Sequence, residues 1–145
     1  MTSPSPSPTA AELHEQLSWW WEQVLRPGLG GLTDTDLTDA RVGERLVSVA
    51  SLLAQRASFH FGDRSLTDDR LPALPASAVD ALLLLDEAWA DWDSGVLSAD
   101  DVRLRRAHQG PPGTMDERYP LWALVLHVNR EVVQAGAQLL LLLER

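Results

Sequence analysis

The stretch LWALVLHVNREVVQAGAQLLLLL, residues 121–143, decides the fold of this chain. At about 100° per residue of an α-helix, most of its large apolar residues fall on one face. That face comprises Leu121, Val125, Val128, Val132, Ala135, Leu139 and Leu142. Its edge carries a polar stripe of His127, Glu131, Gln134 and Gln138. Because Pro120 suits the first position of a helix, the pattern predicts a long amphipathic helix from about Pro120 to Leu143.

Two segments near the start of the chain have the same helical period. The first helix is predicted to begin at a capping box of Thr9 and Glu12 and to end near Arg26, before a Pro-Gly pair. The second is predicted to run from about Ala40 to Phe59, with a glycine at position 62 ending it. Between them, residues 33–36 (TDTD) indicate a second capping box on a short helical turn.

A third predicted helix begins at Ser77, which forms a cap together with Asp80. Its inward face is predicted to hold Leu82, Leu85, Trp89, Trp92 and Val96. No segment shows the sustained alternation of a strand, so the fold class is all-α. Four amphipathic helices with long loops after the second and third predict a four-helix bundle. We assign residues 1–8 to an extended Ser/Pro leader and residues 9–145 to a single domain.

The composition excludes several classes of function and partner. The 145 residues carry 12 Lys+Arg against 21 Asp+Glu, a formal net charge of −9, which argues against nucleic acid and membrane surfaces as partners. Cysteine is absent and every basic residue is arginine, so a cysteine nucleophile and a Schiff-base lysine are excluded. The leader lacks the features of a secretion signal, so we expect a cytoplasmic location. The absence of isoleucine and lysine, which have AT-rich codons, predicts a high-GC bacterial genome.

Residues 126–142, LHVNREVVQAGAQLLLL, resemble the last helix of the DinB-like superfamily of four-helix bundles, in particular a branch common in high-GC bacteria. The positions that match are His127, Asn129, Arg130, Glu131, Val132, Gly136 and Ala137. Residues 44–62, ERLVSVASLLAQRASFHFG, are similar to the second helix of that branch, and the end of the first helix also fits. The resemblance extends from Leu13 to the end of the chain and implies a DinB-like bundle.

The resemblance also implies where a metal would be bound. The superfamily includes metal-dependent thiol transferases and mycothiol-dependent maleylpyruvate isomerase, which hold a divalent metal with a histidine on the second helix and a His/Glu-x3-His pair on the fourth. These positions map to Ser48, Glu131 and Ala135, so two of the three ligands are missing. We therefore expect no cofactor, while weak binding of a divalent metal by His127 and Glu131 stays open.

Histidine and tryptophan supply the remaining candidate site residues. His60 ends the second helix about three turns beyond Ser48, and both a packing role and a site role stay open for it. His14 and His108 lie in sequence contexts that predict exposure. The six tryptophans include three in a row, at positions 19–21, which spread over about 200° of a helix. They either fill the core and a subunit contact or line a small-molecule pocket, and we predict such a pocket.

Three functions remain open at this point. The first is a small-molecule enzyme or ligand-binding protein without the metal triad, in which a buried Glu131 is the general acid or base, assisted by His127 or His60. The second is a metal-dependent thiol transferase or isomerase with a reassigned site. The third is a non-catalytic protein that forms a homodimer through its apolar end, residues 139–143. The expected partner is a small-molecule ligand.

Overall fold

In a computed structural model, the described residues are 7–62, 73–107 and 119–144. Within these ranges the regular structure is helical, apart from one isolated β-bridge between Ala107 and Pro120, which confirms the all-α fold class. Most of the leader, most of the loop after the second helix, and His108 lie outside the described residues. Among the helices of the described part, none is long and apolar enough to span a membrane.

Four of the helices are long. They are α1 (Pro8–Trp20), α2 (Ala40–Phe61), α3 (Ala78–Ser98) and α5 (Leu121–Leu143), and the short α4 (Asp101–Arg105) precedes α5. The first helix continues beyond α1 through a π-helical turn, Trp21–Leu25, and a last α-helical turn, Arg26–Gly28. A 3₁₀ turn, Asp36–Thr38, follows the predicted box, in which Thr33 and Asp36 bond each other's backbone N–H.

The ends of the helices agree with the sequence patterns in most cases. Ser77 Oγ accepts from the Asp80 N–H at 3.1 Å, as predicted, and α2 ends at a glycine one residue after Phe61. The start of α1 differs, because Ser7 and not Thr9 is the N-cap, its Oγ accepting from the Ala10 N–H at 3.1 Å. Pro8 allows this earlier start, since the first position of a helix needs no N–H donor.

The direction of each helix follows from its contacts. Asn129 of α5 donates to the Leu13 carbonyl oxygen of α1. Further along both helices in the same direction, Gly136 of α5 faces Trp20 of α1, so the two helices are parallel. α2 is antiparallel to α5, because Arg41 and Arg45, near the start of α2, line a small groove together with Gln138 and Leu141, near the end of α5.

α3 runs antiparallel to α1 and parallel to α2. Arg26, after α1, bonds Asp86 near the middle of α3, whereas His14, near the start of α1, pairs with Asp93 close to the end of α3. The end of α2 also lies at the end of α3, where the Phe61 ring packs against Gly95. A parallel pair of consecutive helices requires a connection that returns along the bundle, and residues 62–77 separate the two helices in sequence.

The core lies between the four long helices and is built from the predicted stripes. The apolar face of α5 is buried at Leu121, Val125, Val128, Val132 and Leu139. Ala135 and Leu142 are half-buried at its edge. At the predicted dimer-forming end Leu139 is buried, whereas Leu141 is 67% exposed. A homodimer through this end stays a prediction.

Candidate functional site

An open groove of about 440 Å³ lies between α2 and α5. Ser48, Glu131 and Ala135, the three positions to which the resemblance assigns metal ligands, all line it. The other lining residues are mostly polar, namely Arg45, Ser51, Leu52, Gln55, Gln134 and Gln138. Helix periodicity explains this arrangement, because residues three or four apart on two antiparallel helices form facing stripes. The three mapped positions therefore share one site, although that site is a surface groove and not the bundle interior.

The chemistry of the three positions is far from that of a metal triad. Ser48 is exposed, and its Oγ donates to the Glu44 carbonyl oxygen at 2.8 Å, which occupies its single proton. Ala135 offers no ligand atom. In the described ranges, no group of three or more His, Asp or Glu side chains is placed to hold a metal ion.

Glu131 lines this groove and contacts His127, one turn earlier on α5. His127 Nε2 lies 3.1 Å from Glu131 Oε1, and the side chains are 24% and 49% exposed, respectively. Arg130 Nη2 lies 3.3 Å from His127 Nδ1. Since a guanidinium only donates, Nδ1 accepts and the imidazole proton resides on Nε2, facing the Glu131 carboxylate. This arrangement places the Glu131 carboxylate in the groove between α2 and α5, while its partner His127 lines the groove on the other side of α5.

The expectation that Glu131 is buried is wrong. Its position on α5 is close to the apolar face, but α2 carries serine and glutamine side chains opposite it and the groove stays open there. An exposed carboxylate that lines a groove can accept hydrogen bonds from a bound molecule, so the structure favours Glu131 as a base or hydrogen-bond acceptor.

Arg56 is a buried charged residue that the sequence analysis missed. Only 5% of Arg56 is exposed, and its Nη1 lies 3.3 Å from His60 Nε2. Burial lowers the pKa of the Arg56 guanidinium, and the negative charge of Glu131 acts in the opposite direction. The sequence contains a sign of this placement, because Arg56 is three residues after Leu53 on the inward stripe of α2.

His60 is not among the residues that line the groove. It is 2% exposed at the end of α2, edge-to-face with the Phe59 ring at 5.2 Å between centroids. Its carbonyl oxygen accepts from Arg103 Nη2 of α4. The structure therefore brings Glu131 and His127 together but places His60 in the core, in contact with Arg56.

A second groove, of about 530 Å³, lies on the other side of α5, against α1. Its lining is more apolar and comprises Gln16, Leu17, Ala123, Leu126, His127, Asn129, Arg130 and Val133. Asn129 is buried beneath it and bonds three partners. Its Nδ2 donates to the Leu13 carbonyl oxygen at 3.1 Å and to Gln16 Oε1 at 3.0 Å, while its Oδ1 accepts from Trp92 Nε1 at 3.2 Å. The asparagine of the family-like motif therefore links three helices.

The predicted tryptophan-lined pocket is not found in the described part of the chain. Trp21 stacks on Trp89 with 4.6 Å between ring centroids and 10° between planes, and Trp92 is buried on Asn129. The space around Trp89 and Trp92 has a volume of about 0 Å³, and neither groove includes a tryptophan. The indoles fill the core because three large flat rings on facing helices leave no gap. Predicted exposure is also wrong for His14, which is half-buried against Asp93.

Comparison with protein-family models, with curated proteins and with solved structures finds no match for this chain.

Proposed function

We propose that this protein is a DinB-like small-molecule-binding bundle without the metal triad, and that its ligand occupies the groove between α2 and α5. One observation carries the proposal. Ser48, Glu131 and Ala135, which the sequence resemblance puts at the metal-binding positions, line a single groove. The contact between His127 and Glu131, the member of the pair that lines the groove, supports metal-free acid–base chemistry on the bound molecule.

The proposed roles follow from the geometry of the pair. Glu131 takes a proton from the ligand, because its carboxylate lines the groove. His127 orients that carboxylate through its Nε2–H, which lies 3.1 Å from Glu131 Oε1. The serine and glutamine side chains on both walls supply hydrogen bonds that fix the ligand.

Two alanines on α5 offer a matched test of which groove binds. Ala135 lines the groove against α2, and Ala123 lines the groove against α1. Ala135→Phe fills the first groove and Ala123→Phe the second, with the same change of volume. In ligand-observed NMR with a library of neutral, anionic and cationic fragments, we expect Ala135→Phe to abolish binding and Ala123→Phe to leave it intact.

The reverse result, with binding lost only in Ala123→Phe, moves the ligand to the other groove and contradicts the proposal. For any fragment that also reacts, Glu131→Gln should retain binding and lose at least about a hundredfold in rate, the lower range for loss of a general base. A rate unchanged by Glu131→Gln leaves a binding protein and removes the acid–base role.

A further inference from the structure

A smaller groove continues the groove between α2 and α5 toward the end of α5. It has a volume of about 380 Å³, and its lining residues are Arg41, Glu44, Arg45, Gln138, Leu141 and Leu142. Arg45 and Gln138 line both grooves, so the two grooves meet at these side chains. We call the two together the extended groove. A molecule too long for either groove alone can occupy both.

Arg45 is a cation without a counter-ion at the point where the two grooves meet. Its side chain is exposed, and no carboxylate of the described residues lies within ion-pair distance of it. Arg41, one turn earlier, differs, because its Nε and Nη2 bond the Asp39 carboxylate at 3.2 and 2.9 Å. A guanidinium that is not already paired can form two parallel hydrogen bonds with a planar carboxylate. Arg45 is therefore the better placed of the two to bind an anionic group in the extended groove.

The extended groove offers different contacts on the two sides of Arg45. Toward the end of α5 it is apolar, because Leu141 is 67% exposed and Leu142 is half-buried. In the other direction most lining residues are serines and glutamines, which suit the N–H and C=O groups of peptide units. This polar part extends from Gln138 back to Glu131, about 10 Å along α5, which is roughly the length of three residues of extended chain.

We propose that the extended groove binds the C-terminal end of a short peptide whose last residue is apolar. This inference rests on the proposed function and adds the ligand class to it. Arg45 binds the terminal carboxylate, the last side chain packs on Leu141 and Leu142, and the preceding peptide units lie along the polar part. Glu44 also lines the smaller groove, and its charge disfavours a second carboxylate there. The last side chain is therefore apolar and not acidic.

The first test uses N-acetylated tripeptides, in which the terminal carboxylate is the one charged group. Acetyl-Ala-Ala-Leu is compared with its C-terminal amide by ligand-observed NMR titration. The variants are Arg45→Gln and, as a matched control one turn away, Arg41→Gln. We expect the wild type and Arg41→Gln to bind the acid at least about tenfold more tightly than the amide, because the amide cannot form the ion pair. In Arg45→Gln this preference should disappear, while the affinity for the amide stays at the wild-type level.

The second test addresses the apolar part by comparing acetyl-Ala-Ala-Leu with acetyl-Ala-Ala-Ser. The variants are Leu141→Ser and, as a control, Leu83→Ser at an exposed leucine of α3. The wild type and Leu83→Ser should prefer the leucine peptide by at least about threefold. Leu141→Ser should lose that preference but still prefer the acid to the amide.

A separate measurement excludes an effect on folding. Arg45 and Leu141 are exposed, so their variants should unfold at the wild-type temperature, and a lost preference then reports on contact with the peptide. Arg45→Lys keeps the charge but not the paired donors, and it should retain part of the preference for the acid.

Three results overturn the inference. The first is equal binding of acid and amide by the wild type, and the second is a preference for the acid that survives in Arg45→Gln. The third is a dimer in sedimentation experiments that Leu141→Ser dissociates, because a second copy of the chain then covers the apolar part. If acid and amide bind equally and Ala135→Phe excludes both, the proposed groove stands and only the ligand class is wrong.

Discussion

Two buried polar side chains, on opposite sides of the bundle, differ in how fully they are hydrogen-bonded. Asn129, between α1, α3 and α5, has three hydrogen-bond partners. Its amide nitrogen donates to two of them and its amide oxygen accepts from the third. Arg56, on α2, has five N–H donors and one hydrogen bond within the described residues. No cavity remains around Trp92 beside Asn129, although the groove against α1 passes over that asparagine, and a polar groove lies between α2 and α5.

This difference separates a buried side chain with a structural role from one whose burial is costly. A satisfied buried network fixes the register of the helices that it joins and leaves nothing for a ligand to do. An under-satisfied buried charge costs stability in the free protein. The resemblance to a metal-binding family drew attention to Glu131, but among the described residues the buried charge without a carboxylate at ion-pair distance is that of Arg56.

The largest effect on the free energy of unfolding is expected at Asn129. Asn129→Leu leaves the Trp92 Nε1–H and the Leu13 carbonyl without their partner, so the free energy of unfolding should fall by about 2–4 kcal/mol, at about 1–3 kcal/mol for each buried group. Denaturant unfolding measures it. Arg56→Met serves as the comparison. It removes a buried polar group that has one hydrogen bond within the described residues, and it should not lower the free energy of unfolding.

A double-mutant cycle with Trp92→Phe isolates one of these bonds. Trp92→Phe removes the indole donor, so the two changes together should cost less than the sum of their separate effects, with a coupling of about 1 kcal/mol. Simple additivity would mean that the bond between Trp92 and Asn129 contributes nothing, and the contrast between the two sides would lose its basis.

The next prediction tests the groove between α2 and α5 by building there the metal site that the resemblance implies. Ser48→His with Ala135→His creates a His2Glu set with Glu131, and zinc–ligand distances near 2.0–2.2 Å are required. At a hundredfold excess of free zinc over the dissociation constant, binding to the folded state alone stabilises it by about 2.7 kcal/mol. At roughly 2–4 °C for each kcal/mol, the zinc-dependent rise in melting temperature is easily measured.

Both single variants are the controls and should respond less, since each has one ligand fewer. A double variant that folds but gains no more from zinc than the wild type does would show that these side chains do not converge across the groove.

The smallest effect compares two adjacent residues of α5. A Cβ on Gly136 would lie 2.4 Å from Trp20 Cη2 and 3.2 Å from Leu25 Cδ1, whereas Ala135 borders the open groove. Gly136→Ala should cost about 1 kcal/mol, as overpacking of about 1–3 kcal/mol is partly offset by the better helix propensity of alanine. Ala135→Met should change stability by less than about 0.5 kcal/mol. Equal changes in unfolding temperature for the two variants would contradict a difference in packing between the two faces of α5.

Helix ends and the apolar core were largely predictable from sequence. Both rest on local chemistry: Ser77 and Asp80 cap α3 because a side-chain oxygen satisfies a free N–H, and the α5 face is buried because its apolar residues share one side. The early start at Ser7 was missed because two capping residues compete there and the pattern of Thr9 with Glu12 is the stronger motif.

The candidate site was less predictable, for a physical reason. Helical periodicity gives the direction of a side chain but not the distance to the neighbouring helix. Glu131 therefore points toward a wall that stays open, and Arg56, on the inward stripe, is enclosed. The use of tryptophan was ambiguous for the same reason, because indoles at helical spacing fit a filled core and a lined cavity equally well.

The π-helical turn Trp21–Leu25 has a consequence for how this chain can change in length. In that turn the Arg26 N–H bonds the Trp21 carbonyl oxygen, five residues back, so the turn contains one residue more than an α-helical turn. Deleting one residue there converts it into an ordinary turn and leaves every later side chain of the helix in place. A deletion elsewhere in α1 rotates the following residues by about 100° and separates Trp21 from Trp89. Insertions and deletions among homologous chains are therefore expected to concentrate in this turn.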